Sequence, residues 1–429
     1  MNFTRQQNVI RPTIQNMNLH WKRTANRILM SGCIILLFGT DAVIAQRSAD
    51  ATGSARNRLV DEAIQSEGIS NEAVLRAMRK VPRHEFVLPG MRSRAYRDEA
   101  LAIGSGQTIS PPFVVAYMTQ SLNPQPTDKV LEVGTGSGYQ AAVLAEIVDQ
   151  VYSIEIVKSL ARSAKSRLMR LGYDNVQVRA GDGYAGWPEH APFDRIIVTC
   201  SPESVPEPLI EQLRDGGRMI VPIGERYQQT FHLFQKKDGK LEQEQLISTL
   251  FVPMTGESEE RRRILPNSNQ PVLTNGSFEH DVNADNNADG WHYQRRSTLV
   301  TDSAVQGKQF LRFFAERDGE VAQALQGIAV NGRRLGSIKI SCWVQAENIK
   351  PGTKGQQAGI AVHFYDAARR ELPLQPIARW RGNFTWRQVR RTVPIPLRAR
   401  EMIVRIGLNG ATGTLDLDDL RMSVLKRSQ

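Results

Sequence analysis

Leu131-Glu-Val-Gly-Thr-Gly-Ser-Gly138 is the stretch on which the fold of this 429-residue chain turns. It is preceded by Lys129-Val130, which begins an apolar run of strand length, and followed by Tyr139 to Ile147, whose spacing predicts a helix. Gly134, Gly136 and Gly138 permit positive φ and let a ligand approach the backbone closely. The glycines are spaced GxGxG with Tyr139 next, not GxGxxG as in dinucleotide-binding turns. Glu132 stands just before the turn, where a carboxylate would repel a pyrophosphate but suits a cationic amino-acid moiety.

Outward from this turn, strands and helices alternate. Gln150 to Glu155, Val176 to Arg179, Phe193 to Thr199 and Gly217 to Val221 read as strands. Helical stretches lie between them, one running to Leu171 and another over Pro208 to Leu213. The strands are nearly continuous apolar runs, as expected where both faces of a sheet are covered. The prediction is an α/β fold with a doubly wound, mostly parallel sheet. Upstream, apolar residues at helical spacing predict a helix over Leu59 to Arg79, stopped by Pro82.

Two further acids fall at matching places. Glu155 closes the second strand, where a carboxylate accepts hydrogen bonds from a ribose diol. Asp182-Gly183 forms a turn after the third. Three acids at the carboxyl ends of consecutive strands converge where open α/β sheets bind ligands. Together they resemble the class I S-adenosylmethionine-dependent methyltransferases.

Upstream motifs narrow the resemblance. Met78-Arg-Lys-Val-Pro-Arg83, Glu85-Phe-Val87, Tyr96 and Ile103-Gly-Ser-Gly-Gln-Thr-Ile-Ser-Pro111 resemble those of protein-L-isoaspartate methyltransferases. So do Gly186-Trp187, Phe193-Asp194 and Gly216-Gly217-Arg218, and the likeness spans residues 58 to 256. It implies S-adenosyl-L-methionine as co-substrate, held by Glu132, Gly134, Thr135, Gly136, Gly138, Glu155, Asp182 and Gly183. It also implies damaged isoaspartyl proteins and peptides as substrates, met by Thr108, Ile109 and Ser110, with Ser110 as the catalytic-site residue. Pro112 and Thr199-Cys-Ser-Pro202 depart from the family pattern. The absence of a His/Asp or Cys/His constellation suits such a reaction. A carboxylate acceptor is already ionised near neutral pH, so the protein need only hold it in line about 3 Å from the methyl group.

The rest of the chain is organised around this half. Lys22, Arg23 and Arg27 before the apolar run Ile28 to Phe38 predict an export signal over residues 1–46, followed by a linker at 47–57. Export is the expected localisation; a cytoplasmic enzyme is what the family resemblance alone implies. The apolar run is short for a membrane span, so no stable insertion is expected once the signal is cleaved. A charged and polar linker is expected at 257–270, then an all-β sandwich over 271–429. All motifs of the methyltransferase half precede that linker, so that half is expected to act without the remainder. Leu273 to Glu279 with Asp289-Gly-Trp291, and Gly413 to Leu420, resemble galactose-binding-like jelly rolls. That resemblance implies a carbohydrate partner, with Trp343, Tyr365, Trp380 and Trp386 as candidate contacts, and a structural calcium at Glu279 and Asp418. The alternative function is an envelope carbohydrate-binding protein with a vestigial methyltransferase half. The net charge of +11 is scattered and lacks an aromatic-basic module, so no nucleic-acid partner is expected. Cys33, Cys200 and Cys342 have no metal-site or disulfide spacing, and Cys200 reads as a small buried residue rather than a nucleophile.

Overall fold

The computed structural model describes residues 52–427. The expected export signal at 1–46 lies outside the described residues, as do residues 47–51 of the expected linker. Residues 52–57 of that linker are instead helical, opening helix α1 over 52–63. Ala, Arg and Leu are good helix formers and extend the amphipathic pattern backwards. The chain divides into a unit of residues 1–58 and a larger unit of residues 59–429.

The single helix expected over Leu59 to Arg79 is two. Gly68 takes φ +95° and breaks the run. Asn71 then caps α2 (Glu72–Lys80), its side chain accepting from the amides of Ala73 and Val74. Val74, Leu75, Ala77 and Met78 form the buried face of α2.

A short antiparallel hairpin follows, β1 (Leu101–Gly104) and β2 (Gln107–Ile109). Pro112 opens α3 (Pro112–Leu122) at the helical position where its missing N–H is harmless. Then come β3 (Lys129–Val133), α4 (Tyr139–Ala145), β4 (Gln150–Glu155), α5 (Lys158–Arg170), β5 (Val176–Ala180), β6 (Phe193–Val198), α6 (Glu207–Gln212) and β7 (Leu213–Glu225). The sheet continues with β8 (Gln228–Lys237) and β9 (Lys240–Thr249), and the strand order is β5-β4-β3-β6-β7-β8-β9. The pairs from β5 to β7 are parallel, while β8 and β9 add antiparallel strands. Because β4 and β6 flank β3 on opposite sides, the order reverses at β3. A crevice therefore opens at its carboxyl end.

The segment expected as a charged and polar linker is docked. α7 (Glu257–Glu260) follows the sheet, and Arg262 is buried. Its guanidinium donates to the carbonyls of Ser201 and Gly224 at 2.9 and 3.1 Å and to Glu259 at 2.9 Å. A buried cation needs such acceptors, and Ser201 after β6 and Gly224 near the end of β7 supply them. The boundary placed at 257–270 is thus no gap in packing: residues 59–429 form one compact unit.

Beyond it lie β10 (His292–Arg295), β11 (Ser297–Val300), β12 (Phe310–Ala315), β13 (Gln323–Ala329), β14 (Leu335–Lys350), β15 (Ala358–Tyr365), β16 (Gln375–Trp380), β17 (Gly382–Pro394), β18 (Glu401–Gly407) and β19 (Thr412–Lys426). They form two antiparallel five-stranded sheets, β10-β13-β18-β15-β16 and β11-β12-β19-β14-β17. One core, including Ile338, Val344, Phe364, Val404 and Leu417, fills the space between the sheets. Trp380, a candidate sugar contact, belongs to that core at 4% exposure, and Trp386 stands edge-on to Phe310. Glu279 and Asp418, the candidate calcium ligands, both turn to the loop over 305–309. Each accepts two backbone amides of the 305–309 loop, Glu279 from Lys308 and Gln309, Asp418 from Val305 and Gln306. Among the described residues no group of three metal-binding side chains occurs, and no helix is long and apolar enough to cross a membrane.

Candidate active site

The crevice at the end of β3 is built from the glycine turn upward. Gly134, Gly136 and Gly138 all take positive φ (+105°, +54° and +92°). Gly134 is fixed by its amide donating to the Ile154 carbonyl at 2.8 Å, while Thr199 Oγ donates to its carbonyl at 2.7 Å. A Cβ on Gly134 would lie 2.5 Å from Thr199 Oγ, so the turn admits no side chain there.

Glu155 is the acid that reaches the crevice. Its Oε2 accepts the Gly136 amide at 2.7 Å and its Oε1 the Val157 amide at 2.8 Å. It is 5% exposed and lines the crevice. Each oxygen retains acceptor capacity while the two amides fix its direction. Gly134, Thr135, Gly136 and Gly183 also line the crevice, as do Thr108, Ile109 and Ser110. The structure thus brings the glycine turn and the Thr108-Ile109-Ser110 segment into one cavity.

Three expected contacts stand behind the wall instead. Glu132 has no exposure, and Ser153 Oγ donates to its Oε2. Ser153 in turn shares a 2.5 Å hydrogen bond with Thr135, so Glu132 supports the turn from beneath. Burial, with the nearby Glu155 charge, pushes its carboxyl up to about 8 despite the Ser153 hydrogen bond. Glu132 is not part of the crevice lining, and its side chain meets Ser153 of β4 instead of the cavity where a direct partner for a cation was expected. Gly138 packs against Leu168 and Ala164 rather than the crevice. Asp182, half-exposed and outside the crevice lining, accepts the amides of Tyr184 and Glu257 at 2.9 and 2.8 Å.

Several lining residues gave no sequence signal. Val252 to Thr255 return after β9 to form a wall, held by Ser201 donating to Val252 and Met254 donating back to Ser201. Cys200, expected as a buried small residue, lines the crevice too. Burial pushes its thiol up, leaving it un-ionised and unsuited to nucleophilic attack. Ser137 and Gln140 line the crevice, and Ser137 Oγ and Gln140 Oε1 are buried without hydrogen-bond partners among the described residues. Unpaired buried polar atoms cost stability unless something meets them. With the glycine cradle and Glu155, they fit a ligand rich in hydroxyl and amino groups.

A parallel sheet with this reversal point, a glycine turn and an acid at the end of β4 defines a class I S-adenosylmethionine-dependent methyltransferase. The family model for Protein-L-isoaspartate(D-aspartate) O-methyltransferase matches residues 54–259. A protein-L-isoaspartate O-methyltransferase from Opitutus terrae is 49% identical over 52% of this chain and 95% of its own length. One from Gloeobacter violaceus is 51% identical over 46% of this chain and 98% of its own. A solved Plasmodium falciparum protein with that name, in complex with S-adenosyl-L-homocysteine, is 26% identical, with coverage of 47% and 98% and a TM-score of 0.42. The chain belongs to the protein-L-isoaspartate O-methyltransferase family.

Proposed function

We propose that the chain uses S-adenosyl-L-methionine to methylate the free carboxylate of L-isoaspartyl residues, the first step in repairing damaged proteins. The observation that carries this is the meeting, in one crevice, of the Glu155-anchored glycine turn and the Thr108-Ile109-Ser110 segment. When bound, the co-substrate supplies a sulfonium-activated methyl group. Glu155, Ser137 and Gln140 would hold its polar groups, and the Gly134–Gly136 backbone would let it lie close. Ser110 is half-buried, lines the crevice, and has no intramolecular hydrogen bond among the described residues. Its hydroxyl is free to donate to the acceptor carboxylate and orient it. Beyond Cys200, the only other titratable lining residues among the described residues are Tyr139 and Glu155. Positioning rather than proton transfer would therefore lower the barrier.

The test is methyl transfer to an isoaspartyl peptide, with the same peptide bearing ordinary aspartate as control. Turnover of the isoaspartyl form alone is expected; equal turnover of both, or of neither, would defeat the reading. A vestigial methyltransferase half is disfavoured by the intact glycine turn and Glu155. We also propose that the enzyme acts after export, on the basic-then-apolar pattern of residues 22–38. Fractionation of cells producing the full chain tests this, and recovery only in the cytoplasm would refute it.

A further inference from the structure

Asp98 and Phe113 stand at the two ends of the segment that carries the β1–β2 hairpin and Ser110. They are tied together, the Phe113 amide donating to Asp98 Oδ1 at 2.8 Å. The other oxygen, Oδ2, lies 3.8 Å from Nε of Arg295, which belongs to β10 of the sandwich. The same guanidinium lies 3.5 Å above the Phe113 ring and 4.6 Å from the Tyr293 ring. Tyr293 Oη donates to the Asp98 carbonyl at 3.4 Å. Asp98 and Arg295 are 9% and 7% exposed, so the pair is withdrawn from water.

The backbone of β10 is bent to make these contacts. Its register against β13 shifts between His292 and Arg295, and Tyr293 takes φ +59°. Bulges of this kind re-aim side chains, and an aromatic residue held in the left-handed region is strained. That strain persists only where the surrounding contacts over-determine it. At the hairpin tip, a Cβ on Gly106 would lie 3.9 Å from the Ala368 carbonyl, so the sandwich borders this end too. The family match ends at residue 259, before the sandwich begins, so none of these sandwich contacts is part of it.

We infer that Arg295 is a positioning residue for substrate: through Asp98 and Phe113 it fixes the base of the segment that presents Ser110, making the sandwich part of the substrate site. The inference rests on the isoaspartyl methyltransferase reading, and wild-type turnover of the peptide checks that reading separately. Because Arg295 touches neither the glycine turn nor Glu155, its effect should fall on the peptide and not on the cofactor.

The experiment compares full-length Arg295→Ala, Arg295→Lys and Tyr293→Phe with wild type, measuring peptide kcat and KM and S-adenosyl-L-homocysteine affinity by calorimetry. Arg296→Ala serves as control. Arg296 neighbours the clamp, and its ion-pair partners, Glu67 at 3.7 Å and Glu320 at 3.2 Å, both lie outside the segment. Arg295→Ala should lower kcat/KM on the peptide about tenfold or more, with cofactor affinity within about twofold. Arg295→Lys should recover part of the loss, and Arg296→Ala should leave peptide kinetics near wild type. If Arg295→Ala does not fold, Tyr293→Phe, which removes only one hydroxyl, should still show a smaller loss confined to the peptide. Unchanged peptide kinetics in both folded clamp variants, or cofactor affinity falling in step with turnover, would overturn the inference.

Discussion

Glu132 is a carboxyl group with no exposure, one hydrogen bond to Ser153, and a second oxygen without a partner among the described residues. Its protonation therefore links stability to pH. In the unfolded chain it ionises near the ordinary 4.5, but in the fold burial holds it protonated up to about 8. Between those values the unfolded state has lost a proton that the folded state keeps, so this group's contribution is fully present below 4.5. It is lost progressively as pH rises towards 8. Glu132→Gln should therefore gain stability relative to wild type across pH 4.5–8, on the order of a few kcal/mol, and level off above. Denaturant melts of ligand-free protein at several pH values check this; a difference that does not change with pH would show that Glu132 is ionised in the fold. Glu155 and Ser110 should separate cofactor from substrate. Glu155→Ala should weaken S-adenosyl-L-homocysteine binding by about 1.5–3 kcal/mol. Ser110→Ala should lower peptide kcat/KM by roughly 10- to 100-fold with cofactor affinity little changed. Calorimetry beside peptide kinetics distinguishes the two, and a drop of many orders for Ser110→Ala would indicate covalent catalysis instead.

Among the elements, α7 shows what the sequence conceals. Its amide at Glu257 donates to Asp182, and a Cβ on Gly256 would strike that same carboxylate. Asp182→Ala removes both this tie and the cap on Tyr184, so amide exchange should quicken over residues 256–263. The stability cost should be about 1–2 kcal/mol, and cofactor affinity should fall less than in Glu155→Ala. Exchange unchanged at Glu257 would mean that the ion pairs of Arg262 hold α7 alone. The parallel strands were legible because buried strands write continuous apolar runs: β3 and β4 begin and end where Lys129–Val133 and Gln150–Glu155 predict. Glu155 was legible for the same reason, being fixed by strand length. β8 and β9 were missed because they are polar on much of their surface. The charged run at 257–263 reads as solvated, since nothing in its composition reveals acceptors waiting at Ser201 and Gly224. Glu132 was assigned to the ligand because sequence gives its distance from the turn, not the face of the strand it occupies. On β16 and β17, Arg379, Arg387, Arg390 and Arg391 are exposed at sheet edges, where charge discourages pairing with other chains.

For the whole molecule, the question is whether the two halves of residues 59–429 behave as one. Reading the chain alone makes the sandwich an independent passenger, since every methyltransferase motif precedes it. The contacts argue otherwise: Arg295 is buried against Asp98 and Phe113, His292 meets the Tyr227 carbonyl at 2.8 Å, and Tyr227 Oη donates to Glu401 at 3.3 Å. Separating the halves would expose a buried ion pair and leave His292 without its acceptor, so partial unfolding is costly. Of the chain's six tryptophans, Trp291, Trp343, Trp380 and Trp386 lie in the sandwich, so fluorescence mainly reports that half. S-adenosyl-L-homocysteine should bind in the other half. At one hundred times its Kd it would stabilise whatever unfolds with its site by about 2.7 kcal/mol. If the halves unfold together, the tryptophan-detected Tm should rise with ligand by the same amount as a far-ultraviolet melt. Arg295→Ala should weaken that correspondence. A sandwich whose melting ignores the ligand would show that the interface transmits no stability, and the clamp would then have to act on the hairpin alone.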